Sequence, residues 1–362
     1  MDWSEAKIRD FRAALLRWYD AEKRELPWRR DHDPYHVLVS ELMLQQTQVN
    51  TVIPYYKNFL AQFPTVQALA AAAESDVMKA WEGLGYYSRA RNLQKAAKQL
   101  CTDYAGQWPE TAAGLVKLSG IGPYTAGAIA SIAFNQPEPA IDGNAFRVFA
   151  RLFCVADDIA KPQTRAVFDR IIRRVIDPER PGDFNQAIMD LGASYMSATN
   201  PDPAHSPVAA FDESYQTGRV LDFPVKTKKA KPVVIPYFAF AIHSDAGWLL
   251  EKRPQKGMLA DLWMFKMAGR NDLPGATTAE QLVTANAQLT AALGVPVDAT
   301  ERGLREVKHT FTHQQWQITI VRAEIPAVPL TDTQRWVPDA RLGEFALPTV
   351  QKKLLKALGI MM

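Results

Sequence analysis

Leu118-Ser119-Gly120-Ile121-Gly122-Pro123-Tyr124-Thr125-Ala126-Gly127 lies between two stretches of helical periodicity. Two glycines separated by one apolar residue allow a tight hairpin, and Pro123 suits the first position of the helix that follows. The first N–H groups of such a helix have no intrahelical partner and can hold a phosphate without a cationic side chain. The same spacing also suits an ordinary bend between two helices, so the stretch predicts a helical hairpin first and a phosphate site second.

Working outward, helical periodicity recurs at 37–61, 66–81, 89–104, 111–118, 124–134, 143–153, 163–176 and 184–195. An earlier helix over Ser4 to Lys23 has Ser4 as N-cap and places Ile8, Phe11, Leu15, Leu16 and Trp18 near one face. Residues 1–195 therefore read as mostly helical. From Met196 to Gln216 the pattern dissolves into a proline-bearing surface loop. Four lysines at 226, 228, 229 and 231 mark a linker over 226–232. Beyond it, 233–248, 304–311 and 315–325 alternate like strands, and helices are expected over 277–293 and near 349–358. The expectation is an all-α domain over 1–225, the linker, and an α+β domain over 233–362. Two domains also suit a chain of 362 residues.

Composition excludes several classes. Hydrophobic residues make up 47% and charged residues 22%, ordinary values for a globular protein. No apolar run reaches the ~18 residues of a membrane helix, and the charged start MDWSEAKIRDF has no signal core. A cytoplasmic protein with no membrane association is expected. The net charge is +3, so any affinity for nucleic acid must come from local placement of charge. Only two cysteines occur, Cys101 and Cys154, too few for a four-thiolate metal site. Both read as small buried residues.

Two carboxylates stand out. Asp142, in Ile141-Asp142-Gly143-Asn144, precedes a new helix and reads as an N-cap. Such a position can also hold a carboxylate rigidly against a developing cation. Glu41, in Ser40-Glu41-Leu42-Met43-Leu44-Gln45-Gln46-Thr47, has apolar flanks. It is either a solvent-facing helical residue or a partly buried acid whose pKa is raised. Together they suggest the acid-plus-stabiliser pair that breaks a glycosidic bond through an oxocarbenium-like transition state.

These stretches, with Trp81-Glu82-Gly83-Leu84-Gly85-Tyr86-Tyr87, follow the order and spacing of the helix-hairpin-helix DNA glycosylases. The chain is most similar to the adenine DNA glycosylases (MutY-type), which remove adenine mispaired with 8-oxoguanine. The resemblance implies a helix-hairpin-helix catalytic domain and a Nudix-like C-terminal domain. It implies roles for Glu41 as general acid at adenine N7, Asp142 as stabiliser of the sugar cation, Tyr124 beside it, and Asn144 as their support. It places Arg29, Leu44 and Gln186 at the adenine pocket, and Gln46 and Tyr86 as wedges in the duplex. Gly120, Gly122 and Tyr124 form the phosphate-binding hairpin, and Phe311, Thr312 and His313 the 8-oxoguanine reader. Phe311 reads equally as a packing residue that holds the reader loop.

The resemblance also decides a subclass. In the related endonuclease III group a lysine at the position of Tyr124 forms a Schiff base, which a phenol cannot do. A monofunctional glycosylase leaving an abasic site follows. Lys117 reads as solvated or phosphate-facing. The alternatives are an endonuclease III-like glycosylase/lyase acting on oxidised pyrimidines and a non-catalytic lesion-binding protein. Tyr124 and the C-terminal domain oppose the first; retention of Glu41 and Asp142 opposes the second.

Two departures accompany the resemblance. Met264-Phe265-Lys266-Met267 replaces a Glu-Phe-Pro and is expected to alter packing more than function. No REx₂EE-like carboxylate set occurs in 233–362, which argues against nucleotide pyrophosphatase activity. The family's four cluster-binding cysteines would fall at Met196, Pro203, Ser206 and Asp212, none of which is cysteine. The iron–sulfur cluster is expected to be absent, with no other cofactor or metal. The loop that it would shape has no Lys or Arg over 196–212, and Tyr195, Met196, Val208, Phe211 and Tyr215 are its candidate anchors. The expected partner is double-stranded DNA carrying 8-oxoguanine:adenine pairs, met by a nucleoid-associated monomer.

Overall fold

The structure is a computed structural model that describes residues 3–227, 231–301 and 306–360. Lys228 and Lys229 of the expected linker lie outside the described residues, as do 304 and 305 of the strand-like stretch. The chain divides into two units, one of residues 1–80 and 88–228, the other of 81–87 and 229–362. The division differs from a single boundary at 226–232 because Trp81–Tyr87 joins the second unit. Inside that unit, Glu82 receives the Leu347 N–H at 3.4 Å and the Lys352 ammonium at 3.0 Å, and the Tyr87 hydroxyl donates to the Leu347 carbonyl at 3.3 Å.

Among its described residues the first unit is helical throughout: α1 (Glu5–Glu22), α2 (Pro34–Leu44), α3 (Val49–Gln62), α4 (Val66–Ala71), α5 (Glu74–Ala80), α6 (Ser88–Asp103), α7 (Ala112–Leu115), α8 (Pro123–Phe134), α9 (Gly143–Leu152), α10 (Thr164–Val175), α11 (Pro181–Ala193) and α12 (Glu213–Gln216). Ser4 caps α1 by accepting from Lys7 N–H at 3.2 Å. Tyr19, rather than Trp18, completes the buried stripe of α1 with Ile8, Phe11, Leu15 and Leu16. The continuous helix expected over 37–61 is two helices, broken at 45–48. The expected 66–81 splits likewise into α4 and α5, because Thr65 caps one helix and Ala72 ends it in an extended conformation. Cys101 and Cys154 are only partly buried, contrary to expectation.

The Leu118–Gly127 stretch forms the hairpin between α7 and α8. Gly120 has φ +74°, and a Cβ there would meet Asn92 Cβ at 2.5 Å, so the turn requires glycine. Gly122 is the N-cap of α8 with φ −86°, and a Cβ there would meet nothing within 4 Å. Only the first of the two glycines is demanded by the fold itself.

Residues 196–216 are more ordered than a plain surface loop. Met196 and Val208 are buried in the same core as Phe11, Phe149 and Phe184, with Tyr195 and Phe211 packed partly against it. Phe211 sits 5.6 Å from Phe11 and 5.8 Å from Trp3, centroid to centroid. Tyr215 is 40% exposed and is not an anchor, since α12 is one short turn whose Ser214 faces inward instead.

The second unit is built on one mixed sheet: β1 (Val233–Ser244), β2 (Gly247–Lys252), β3 (Trp263–Met264), β4 (Lys266–Gly269), β5 (Val307–Thr310), β6 (Gln314–Glu324) and β7 (Gln334–Val337). The order is β3-β2-β1-β6-β5, with β4 also paired to β1 and β7 to β2. Among the described residues only β1 and β6 run parallel, with Tyr237 opposite Ile318. Helices α13 (Thr278–Leu293) and α14 (Thr349–Ala357) cover opposite faces. Phe238, Phe240 and Ile242 face Ala285 and Leu289 of α13, while Ala239 and Ala241 face Leu354 and Leu355 of α14. Sheets buried on both faces read as continuous apolar runs, which explains Phe238–Ile242. In the departure at 264–267, Met264 and Phe265 are buried and the Phe265 N–H is held by Gln351 at 3.0 Å.

Candidate functional site: two buried carboxyl groups and the first turns of α8 and α9

Glu41 lies in the last two turns of α2 and is 5% exposed, so it is the buried acid and not the solvent-facing residue. The Tyr124 hydroxyl, from the first turn of α8, donates to Glu41 Oε2. Asp142 is the N-cap of α9. Its Oδ1 accepts from Ala145 N–H and its Oδ2 from Asn144 Nδ2, each at 2.7 Å. The N-cap and the functional readings of Asp142 are therefore compatible: the bonds that cap the helix also hold the carboxylate still.

Burial dominates the electrostatics. It pushes the Glu41 carboxyl up to about 7; the nearby charge of Asp142 adds to this, while the Tyr124 bond and the Arg29 charge oppose it. Burial also raises Asp142, against the Ala145 and Asn144 hydrogen bonds and the Arg147 charge, all of which favour its ionised form. Tyr124 is held well above the ordinary phenol value by burial and the same two carboxylates, so it remains a neutral donor.

The supporting residues come from distant parts of the chain. Arg147 donates to Asn144 Oδ1 at 2.6 Å, to Gly192 O at 2.7 Å and to Met196 O at 2.7 Å. A Cβ on Gly192 would come within 2.7 Å of Asn144 Cβ, so glycine lets α11 approach this turn. Asn185 accepts from Ala140 N–H at 3.2 Å and donates to Glu138 O at 2.9 Å and Ser131 Oγ at 2.8 Å, fixing the chain that leads into Asp142. Arg29 pairs in a fork with Asp190 of α11 at 2.7 and 3.0 Å, and Arg24 donates to the same carboxylate at 2.7 Å. Burial alone would raise Asp190, but the two guanidinium groups outweigh it and hold it low. Gln186, on α11, is buried, and Leu44, at the end of α2, is partly buried.

Both candidate wedge residues share a strained backbone. Gln46 has φ +57° and Tyr86 φ +46°, uncommon values for residues other than glycine. Gln46 is exposed just beyond α2, where Arg89 donates to Leu42 O at 2.7 Å, Met43 O at 2.9 Å and Gln45 O at 2.5 Å. One guanidinium thus ends α2 and fixes the turn that presents Gln46. Tyr86 is 47% exposed. Within the second unit its hydroxyl lies 3.1 Å from Thr312 Oγ1. Thr312 and His313 are exposed in the β5–β6 turn. Phe311 is the packing residue that holds this turn, with its ring 4.8 Å from Trp316 and 4.6 Å from His309.

Sequence reasoning missed Asp190, Arg89, Asn185 and Arg147. Asp190 had the best signal, since a carboxylate among apolar residues of a helix calls for a cation. Lys117 is exposed.

The hairpin and the paired carboxyl groups define a class. Residues 39–174 match the HhH-GPD superfamily of base excision DNA repair proteins, and 237–357 match the NUDIX domain. The fold of the helical unit is that of a thermostable thymine-DNA glycosylase (23% identical, TM-score 0.54, covering 60% of this chain and all of that one). An endonuclease III, solved in a non-covalent complex with DNA, is similar too (21%, TM-score 0.51, 60% of this chain and 99% of that one). More particularly, the human adenine DNA glycosylase is 34% identical over 414 aligned positions, covering 97% of this chain and 74% of that protein. The Arabidopsis thaliana adenine DNA glycosylase is 35% identical over 376, and there the match spans 91% of this chain but 59% of the relative's length. The chain belongs to the adenine DNA glycosylase family. No helix among the described residues is long and apolar enough to cross a membrane.

The raised Glu41 has a consequence for stability. Its folded value of about 7 exceeds the ordinary 4.5. Between those values the unfolded chain releases the proton while the folded chain keeps it, so stability falls as pH rises through this window. The loss is on the order of 3 kcal/mol from this group alone. Glu41→Gln should therefore be more stable than the parent at pH 8, with the difference vanishing toward pH 4. Urea unfolding at both pH values checks this, and parallel pH profiles for the two proteins would refute the burial argument.

Proposed function

We propose that this protein is a monofunctional glycosylase that excises adenine paired with 8-oxoguanine, or with guanine, in duplex DNA and leaves an abasic site. The observation that carries the reading is the pair of buried carboxyl groups, one of them raised to about 7 and both in contact with neutral donors. A base inside a duplex is out of reach, so the adenine must be extruded, with Gln46 and Tyr86 entering the stack. Glu41, protonated, gives its proton to adenine N7. The C1′–N9 bond then breaks with its electron pair passing to the adenine. Asp142, as carboxylate, stabilises the cation left at C1′. Water adds at C1′ and loses its proton to the Glu41 carboxylate. Tyr124 orients Glu41, and Asn144 orients Asp142. Arg29, Leu44 and Gln186 form the adenine pocket. The hairpin at Gly120 and Gly122 takes a backbone phosphate on the N-terminus of α8.

In the second unit Thr312 and His313 read the base opposite, on a turn held by Phe311. The whole acts as a monomer in the cytoplasm, at the nucleoid.

The iron–sulfur cluster of the family does not fit the residues at its positions. Met196 is buried among apolar side chains, Pro203 has no ligating side chain, and the Ser206 hydroxyl accepts from Val208 N–H at 3.3 Å. Asp212 Oδ1 accepts from Ser214 Oγ at 2.7 Å and Tyr215 N–H at 3.1 Å. We read the protein as a variant that works without the cluster.

Single-turnover cleavage of duplexes carrying adenine opposite 8-oxoguanine, guanine or cytosine tests the assignment. Glu41→Gln and Asp142→Asn should each slow excision by about 10³-fold or more, with duplex binding retained. The parent's rate should fall as pH rises past about 7, where Glu41 loses its proton. Near-parental cleavage by either variant would remove that residue from the mechanism. Substitution of Thr312 and His313 by alanine should reduce the preference for 8-oxoguanine over guanine, and an unchanged preference would count against the reader. Metal analysis of active protein should find no iron; about four irons per chain would overturn the cluster-free reading.

A further inference from the structure

We propose that Arg89 is a positioning residue for the wedge: its buried guanidinium holds the Gln45 carbonyl in the one orientation that presents Gln46, and so sets Gln46 to enter the duplex. This rests on the reading of Gln46 given above. Gln45 has φ −56° and ψ 109°, and Gln46 has φ +57°. The Thr47 N–H donates to Leu44 O at 3.2 Å, so residues 44–47 form a type II turn with Gln46 at its third position. That position normally belongs to glycine or asparagine, because other side chains are strained at positive φ. A type I turn spans four residues with the same closing hydrogen bond and accepts glutamine there without strain. The two turns differ by a flip of the central peptide, here the one that carries Gln45 O. Local preference favours type I, and a contact from outside the turn must hold the flip.

Arg89 makes that contact. It lies in the first turn of α6 and is 6% exposed. Its Nη1 donates to Gln45 O at 2.5 Å and its Nη2 to Thr47 Oγ1 at 3.3 Å. The same Nη1 donates to Leu42 O at 2.7 Å and Met43 O at 2.9 Å, two of the carbonyls that the end of α2 leaves without intrahelical partners. The guanidinium is thus anchored on the end of the helix that carries Glu41, and from there it bonds the flipped peptide. A change to type I would swing Gln45 O away and remove one acceptor from a buried cation, a loss that opposes the local preference.

Two arms on the full chain test this, the first without substrate. Glycine is favoured over alanine where φ is positive, and alanine over glycine at an ordinary backbone position. With Arg89 present, Gln46→Gly should melt above Gln46→Ala by about 3 °C. In an Arg89→Met background the order should reverse, because the turn can then flip. An equal difference in the two backgrounds would overturn the claim that the guanidinium imposes the turn. The second arm is single-turnover cleavage well below each variant's Tm. Arg89→Met and Gln46→Ala should each lower the rate constant by about tenfold, with the cleaved amplitude unchanged. In the Gln46→Ala background Arg89→Met should cost no more than about twofold. Losses that multiply in full, or a loss confined to amplitude, would overturn the positioning role. If the parent itself cleaves no adenine, the reading of the reaction falls and the positioning role with it, while the melting arm still decides the turn. Should Arg89→Met fail to fold, Arg89→Gln takes its place in both arms. Failure of both to fold would mean that the guanidinium holds the whole unit and not one turn, and would overturn the proposal.

Discussion

Two carboxyl groups, Glu41 and Asp142, are taken out of water within reach of each other's charge, and the helical unit is organised around tolerating this. Burying one carboxylate without partners costs several kcal/mol, and a second nearby makes ionisation of both harder still. The two are handled differently. Glu41 keeps its proton toward neutrality, with a neutral phenol against it. Asp142 is surrounded by groups that favour its charge: a backbone N–H, an amide and, behind the amide, a guanidinium. Burial raises both groups, but only Asp142 is ringed by partners for its charged form, a difference in environment that favours an acid at one and an anion at the other.

The surrounding architecture follows from this constraint. Helices α2, α8, α9 and α11 must converge so that residues far apart in the chain meet. Gly192 permits one of these approaches, and Asn185 and Arg89 secure the chain ends that the convergence leaves. The cations serve the same end. Arg24 and Arg29 neutralise Asp190, Arg147 holds the amide of Asn144 beside Asp142, and Arg151 bonds the carbonyls of Ser197, Val220 and Phe223. Strain is placed at Gln46 and Tyr86, the two side chains that the resemblance assigns to the duplex. Residues held in sparse backbone regions persist where their surroundings over-determine them, and for Gln46 that role falls to Arg89.

Much of this was legible in the chain. Ser4 and Asp142 announce helix starts because a short polar side chain can reach the backbone two or three residues ahead. The hairpin was legible because Gly120 is needed for a positive φ that other residues avoid. Helix α13 was expected from the pattern over 277–293, and the structure adds the reciprocal cap of Thr277 and Glu280 at its start. The break between α2 and α3 was not legible: Gln45-Gln46-Thr47-Gln48 holds no glycine or proline to mark a stop, and the helix ends where Arg89, more than 40 residues away, takes its last carbonyls. The short strands β3, β4 and β7 were equally hidden, since two to four residues carry no period and pair only once β1 and β2 are in place.

Sequence by itself determined the residue types on which the chemistry depends, a glutamate, an aspartate and a tyrosine where a lysine would signal a lyase. It also determined that no cysteine stands at Met196, Pro203, Ser206 or Asp212, where the resemblance would place cluster ligands. Those are facts of identity and local order, and local order is what the chain encodes without folding. Only the tertiary structure decided which form each group takes. It buried Glu41 and made it an acid near neutrality. It left Cys101 and Cys154 partly exposed, and it set Arg24 and Arg29 against Asp190 across some 160 residues of chain. Burial and electrostatic partners are properties of the assembled core, and a residue's neighbours in sequence do not specify them.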